Sequence, residues 1–188
     1  IINLSREINN LSQIKHPSIL KFIGYSLTDF SGKNRPVIVT EYSSNLTIST
    51  ILEQERKGKK ILNWDDTQKL INIYGIAVGM KFLHSHSILH RDLTPESIFL
   101  DNNLYPKISN FGLSTHFHTQ KSMTFQSTLG VKGNPVYSAP EVLSGNKYLK
   151  SSDVYSFGLL VYSIMTNKIP YENISNLHNL FNEICVKS

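Results

Sequence analysis

His90, Arg91 and Asp92 stand in succession, and Asn110-Phe111-Gly112 begins 18 residues after Asp92. Asp92 can accept a proton from a hydroxyl. Ser97 and Asn110 carry side-chain oxygens that are hard but uncharged, short of the carboxylates a small divalent cation usually demands. Such groups act together only if the chain brings them to one point. The apolar run Ile98-Phe99-Leu100 predicts a short buried strand, Asp101-Asn102-Asn103 a tight turn, and Lys107-Ile108 the start of a second strand. Two strands joined by a turn, with a charged loop before and a glycine after, can aim several side chains at one place from a rigid base.

Around this stretch the chain reads as a globular protein. Its 188 residues can bury a real core, and 40% hydrophobic with 18% charged content suits a single soluble unit. No apolar run approaches the roughly 20 residues that span a bilayer, and the start does not resemble a signal peptide. Cys185 is the one cysteine, which excludes an internal disulfide and predicts a reducing, cytoplasmic setting. The net charge of +5 is spread along the chain. Nucleic-acid and membrane partners would want clustered basic residues with interleaved aromatics, so neither is expected.

Taken in order, Leu4, Ile8, Leu11 and Ile14 fall at helical spacing, and Pro17 stops that helix. Residues 19–27 and 35–42 read as strands about the polar turn Asp29 to Asn34, with Pro36 at a strand start. Residues 46–56 predict a short helix broken by Gly58 to Lys60. Asp65 or Asp66 caps a longer helix to about His86, with Leu70, Ile73, Ala77 and Met80 on one face. His84 and His86, two apart, point to different sides of that helix and make a poor metal pair. Ser114 to Lys132 is polar and without periodicity. From Ser151-Ser152-Asp153 a helix begins that is apolar nearly all round, through Val154, Tyr155, Phe157, Leu159, Leu160, Val161, Ile164 and Met165, and belongs in the middle of a domain.

These motifs carry a resemblance. His90-Arg91-Asp92-Leu93 with Asn110-Phe111-Gly112 resembles the catalytic and metal-binding loops of the protein kinases, HRDLKxxN and DFG. Ala139-Pro140-Glu141 resembles APE, and Asp153-Val154-Tyr155-Ser156-Phe157-Gly158 resembles the central helix of the kinase large lobe. The wording of that helix, with Ile169-Pro170-Tyr171 behind it, is most similar to the tyrosine-kinase-like group. The resemblance covers essentially the whole chain. It implies a two-lobe α+β fold, with residues 1–42 as a partial small lobe and 43–188 as a mostly helical large lobe. The Gly-rich phosphate loop, the strand with the phosphate-binding Lys and the last helices have no counterpart, which implies a truncated domain. The Arg that normally pairs with the Glu of APE is among the missing parts, so Glu141 is expected to be unpaired.

The same resemblance assigns roles by position. Asp92 would be the catalytic base and Arg91 its neighbour in the loop. Glu7, nine residues before His16-Pro17, would be the helix glutamate that pairs with the Lys; without His-Pro it reads as a solvated residue. Thr40 would be the gatekeeper, the backbone near Glu41 and Ser43 would meet the purine edge, and Phe99 would lie under the adenine. His90, Phe111 and Leu11 would belong to the apolar column linking the lobes, Gly112 would close the metal loop, and Asp153 would anchor the His90-Arg91-Asp92 loop. Thr119, Ser122, Thr124, Ser127 and Thr128 would be phosphorylation positions in an activation segment from Asn110 to Glu141. ATP and Mg²⁺ are the implied cofactors and a protein the implied partner or substrate. Four positions depart from the pattern: Thr94 for Lys, Ser97 for Asn, Asn110 for Asp and Asn134 for Thr. Retained scaffold with degraded metal ligands implies a pseudokinase that acts by binding protein. A weakly active serine/threonine kinase, or a fragment that does not fold alone, are the other readings.

Overall fold

The computed structural model describes residues 8, 12–111, 115–116, 133–174 and 176–186, with the backbone alone at 44–45 and 115–116. Ile8, Ser12 and Gln13 are helical. Leu11, Glu7, Gly112 and the five candidate phosphorylation positions lie outside the described residues.

In chain order, β1 (Phe22–Ser26) and β2 (Val37–Thr40) form an antiparallel pair with Ser26 opposite Val37. The turn between them is built by Asp29, whose Oδ1 accepts the N–H groups of Ser31 and Lys33, while Gly32 takes φ +76°. After β3 (Ser44–Thr47), the Thr47 side chain caps α1 (Ile48–Arg56) by accepting from Thr50 N–H at 3.2 Å. Gly58, at φ +76°, turns the chain away. Asp65 caps α2 (Asp66–Ser85), accepting from Gln68 N–H at 2.8 Å. Then follow β4 (Ile88–Leu89), β5 (Ile98–Leu100), β6 (Pro106–Ile108) and β7 (Thr115–His116). The helices α3 (Pro140–Leu143), α4 (Lys150–Thr166) and α5 (Leu177–Cys185) complete the α+β fold.

The strands β3, β5 and β6 make one sheet in that order, and β4 pairs with β7. On the free edge of β6, Ile108 N–H donates to Ser18 and Leu20 N–H donates to Ile108, so the segment before β1 is stitched to this sheet. One hydrophobic cluster accordingly holds Ile14 and Ile19 together with Ile48, Ile51, Ile76, Leu83, Ile98, Ile108, Phe111 and Leu160. A smaller one joins Leu89, Ala139, Val142 and Tyr148.

Two helix faces differ from expectation. On α2 the buried side is Asn72, Ile76, Gly79, Met80 and Leu83, and Leu70 is 58% exposed. The reason is close approach: Gly75 and Gly79 face Pro106 and Ile108 of β6, so the glycine line, not the Leu70 line, meets the sheet. On α4 the buried face is not wholly apolar. Ser152, Asp153, Ser156 and Ser163 go inward beside Leu160 and Ile164, while Val154 and Met165 are 59% and 46% exposed. Each of those polar groups has a hydrogen-bond partner. No helix among the described residues is long and apolar enough to cross a membrane.

Candidate active site

The loop at 90–92 is held from beneath by one carboxylate. Asp153 is fully buried at the start of α4 and accepts four hydrogen bonds, two on each oxygen. Oδ2 accepts from His90 N–H at 3.0 Å and from His84 Nε2 at 2.8 Å. Oδ1 accepts from Arg91 N–H at 2.9 Å and from the Tyr148 hydroxyl at 2.8 Å. The carboxylate is thus spent on the loop rather than on its own helix's first turn. Burial alone would push the Asp153 carboxyl up, but the hydrogen bonds from His84 and from the Arg91 and His90 N–H groups outweigh it and hold it below its ordinary value. Burial pushes the Tyr148 hydroxyl far above its usual value, so it remains a donor.

Those bonds pin a backbone that would otherwise relax. Arg91 sits at φ +70°, a conformation that costs a non-glycine residue about 1–3 kcal/mol. Its guanidinium lies 5.5 Å from the centre of the Tyr148 ring. His90 is buried and neutral: its Nε2–H donates to Ser109 carbonyl at 2.8 Å and its Nδ1 accepts from Asp92 N–H at 3.3 Å. The His90 ring meets Phe111 edge-on with centroids 5.3 Å apart. His90, Asp92 and Phe111, read from sequence as frame and base, are brought together here.

Facing Asp92, the substituted residues take definite positions. Asn110, at φ +64°, donates from Nδ2 to Asp92 Oδ2 at 2.8 Å. Asparagine tolerates this left-handed backbone better than most residues. Ser97 is fully buried in a short 3-10 turn, where its Oγ accepts from Thr94 N–H at 3.0 Å and donates to Thr94 carbonyl at 2.9 Å. Thr94 is itself buried. Asn134 does not reach across to Asp92 through its Oδ1, which accepts from Val136 N–H and caps the turn Pro135–Tyr137. Gly133 does approach Asp92. A Cβ there would meet Asp92 Oδ1 at 3.0 Å, and the residue takes φ +101°.

A hard divalent cation does not fit this arrangement. Asn110 turns an N–H, not an oxygen, to Asp92, and the Ser97 hydroxyl is fully buried and tied to both backbone groups of Thr94. Among the described residues no group of three or more His, Cys, Asp or Glu could hold a metal ion.

The residues expected near a purine divide between the β1-β2 pair and the β3-β5-β6 sheet. Thr40 closes β2 opposite Phe22. Glu41 N–H donates to Lys21 carbonyl, and its carboxylate accepts from Lys21 N–H and pairs with Lys107 at 3.2 Å. The Ser43 hydroxyl donates to Leu100 carbonyl at 2.8 Å, which sets it beside the strand of Phe99. Phe99 is half-buried and lies opposite Thr47 and Lys107.

Glu141 is not left without a partner. The Ser152 hydroxyl donates to its Oε1 at 2.5 Å, so the acceptor expected to be orphaned is met by α4. Ser156 likewise donates to Tyr137 carbonyl at 2.7 Å, and the Ser163 and Tyr137 hydroxyls pair at 3.1 Å. Sequence reading missed these serines, along with His84, Tyr148 and Gly133. The signal was present for the serines, since positions 152, 156 and 163 recur at helical spacing on one side.

A model of the protein kinase domain matches residues 2–187. The chain is similar to a probable serine/threonine-protein kinase of Dictyostelium discoideum, 33% identical over 182 residues that are 97% of this chain and 10% of that protein. It is similar to the dual specificity protein kinase shkC of the same organism, at 32% over 184 residues, 97% of this chain and 34% of that protein. A third Dictyostelium discoideum relative, seven transmembrane domain-containing tyrosine-protein kinase 1, is 38% identical over 180 residues, 92% of this chain and 23% of that protein. The chain therefore spans between a tenth and about a third of the length of these relatives. By the family model that spans it and by the Asp153-anchored loop that presents Asp92, this chain belongs to the protein kinase domain family.

Proposed function

We propose that this kinase domain is catalytically impaired and acts as a pseudokinase of the tyrosine-kinase-like group, engaging a protein partner in cytoplasmic signalling. Kinases as a family transfer phosphate from ATP with Mg²⁺ to protein hydroxyls, by positioning and by neutralising phosphate charge. The observation that carries the reading is Ser97. It stands at a metal-ligand position of the family, yet its hydroxyl is sealed into the fold by both backbone groups of Thr94. Thr94 in turn replaces the loop Lys, so a positive charge is missing from the same spot. Loss of one preorganised electrostatic partner commonly lowers a rate about 10²–10³-fold, and several such losses fall on one centre here. The group assignment is supported by the Asp153 to Gly158 motif with Ile169-Pro170-Tyr171. Protein binding is supported by the retained frame.

A second reading, a weakly active serine/threonine kinase, is favoured by one feature: Asp92 and its loop are held in place by Asp153. A phosphoryl-transfer assay with the full-length protein and a generic protein substrate separates the two. The expected result is no transfer above an Asp92→Asn control. Transfer that depends on Asp92 would establish the second reading and end the first.

A further inference from the structure

We infer that Asn110 does the structural work of a divalent cation at this centre, making the closed arrangement of its two loops independent of metal. The inference rests on the reading of a degraded metal site, and deepens it. A carboxylate held within about 3 Å of a second carboxylate is strongly repelled unless a proton or a cation lies between them. The loops at 90–92 and 109–111 meet at that distance, through Asn110 Nδ2 and Asp92 Oδ2 at 2.8 Å. With asparagine at position 110 the contact is attractive by itself, because the amide presents a donor to an ionised acceptor.

The neighbourhood agrees. The other Asp92 oxygen faces the α-carbon of Gly133, where even a methyl group would be tight. The Ser97 hydroxyl is committed to Thr94. His90 cannot supply a positive charge, since both ring nitrogens are bonded as a neutral imidazole requires and burial depresses its basicity. Asn110 is the bonded partner this carboxylate has from the facing loop. It holds the strained φ +64° conformation that aims its amide across the gap. Asn110 is thus a positioning residue: it fixes Asp92 and ties β6 to the loop after β4.

The test is thermal unfolding of the full-length protein with MgCl₂ or with EDTA. Wild type is expected to give the same midpoint in both. Asn110→Asp is expected to unfold at lower temperature in EDTA and to recover with MgCl₂. At a hundredfold excess over the dissociation constant that recovery is roughly 5–10 °C for a domain of this size. Asn110→Ala should unfold early and ignore the metal. A magnesium-dependent rise in wild type, or none in Asn110→Asp, overturns the inference. Should Asn110→Asp fail to fold, Mn²⁺ titration of isotope-labelled wild type decides alone: no paramagnetic broadening at residues 90–92 and 108–111 is expected, and selective broadening there overturns it. Because these readouts do not measure phosphoryl transfer, an inactive protein that binds magnesium defeats this inference and leaves the pseudokinase reading standing.

Discussion

At the scale of single residues, the site is organised by Asp153 more than by Asp92. Four donors converge on its two oxygens: His90 N–H, Arg91 N–H, the Tyr148 hydroxyl and His84 Nε2. Because Asp153 is fully buried and shared by all four, the cost of removing the acceptor exceeds that of removing any one donor. Asp153→Ala is expected to cost about 3–5 kcal/mol of unfolding free energy, the range for breaking a buried charged pair. Tyr148→Phe deletes one donor of four and should cost about 1.5–3 kcal/mol. Urea denaturation of each variant reads the difference, and equal losses would refute the view that the carboxylate is the hub. Sequence could name Asp153 because its motif fixes its place. It could not name His84, 69 residues away and brought in only by the packing of α2, nor Tyr148, five residues before it, whose hydroxyl turns back to the carboxylate only in the folded segment before α4.

Between elements, backbone approach decides more than apolar pattern does. The sequence made α1, α2 and the β5–β6 hairpin legible close to where they lie, because capping residues and turn chemistry act locally, while the short β3, β4, β7 and α3 went unread. Which face each helix buries was less legible. Apolar side chains mark a candidate face, but α2 meets β6 along Gly75 and Gly79, where added Cβ atoms would lie 2.6 Å from Pro106 Cγ and 2.7 Å from Ile108 Cδ1. Glycine in a helix costs about 1 kcal/mol relative to alanine, so those two positions give up helical propensity for contact. Gly158 on α4 is the control, being exposed with nothing within 4 Å of where a Cβ would stand. Gly158→Ala should therefore stabilise the protein by roughly 0.5–1 kcal/mol. Gly79→Ala should destabilise it by about 1–3 kcal/mol through overpacking, despite the same gain in propensity. Thermal or urea unfolding of the pair checks the sign, and two changes of the same sign would remove the close-approach argument. The inward serines of α4 escaped the sequence for a related reason. Their partners, Tyr137 carbonyl, Glu141 and the Tyr137 hydroxyl, belong to two other elements, the turn Pro135–Tyr137 and α3, and hydroxyls on an apolar helix read as incidental until those partners are in place.

For the whole molecule, one core runs from Ile14 and Ile19 through α1, α2, the sheet and α4, so a group buried at the active loop reports on global stability. His90 is such a group. Burial depresses its basicity first and foremost; Asp153, the Ser109 carbonyl and Asp92 oppose that, and His84 adds to it, with a net fall below the ordinary value of 6.5. The sign follows from proton counts. Below about pH 6.5 the unfolded chain protonates this histidine while the folded chain does not, so the unfolded state binds more protons and stability falls as pH falls. Protonation of the folded form would also require Nδ1 to give up the Asp92 N–H. Asp153 acts in a lower window. Its folded value is depressed below 3.8, so its contribution is complete above that pH and is lost as acid carries the carboxyl through its folded value. The stability of the wild-type chain should thus be level from pH 8 to about 7. It should then decline on the acid side of about pH 6.5 with a slope of up to roughly 1.4 kcal/mol per pH unit from His90, and steepen again below about pH 4. Urea midpoints measured across this range test the first window, with His90→Gln expected to flatten it. A wild-type profile level down to pH 5, or an unchanged slope in His90→Gln, would show that the buried imidazole is not what couples the loop beneath Asp92 to the fold.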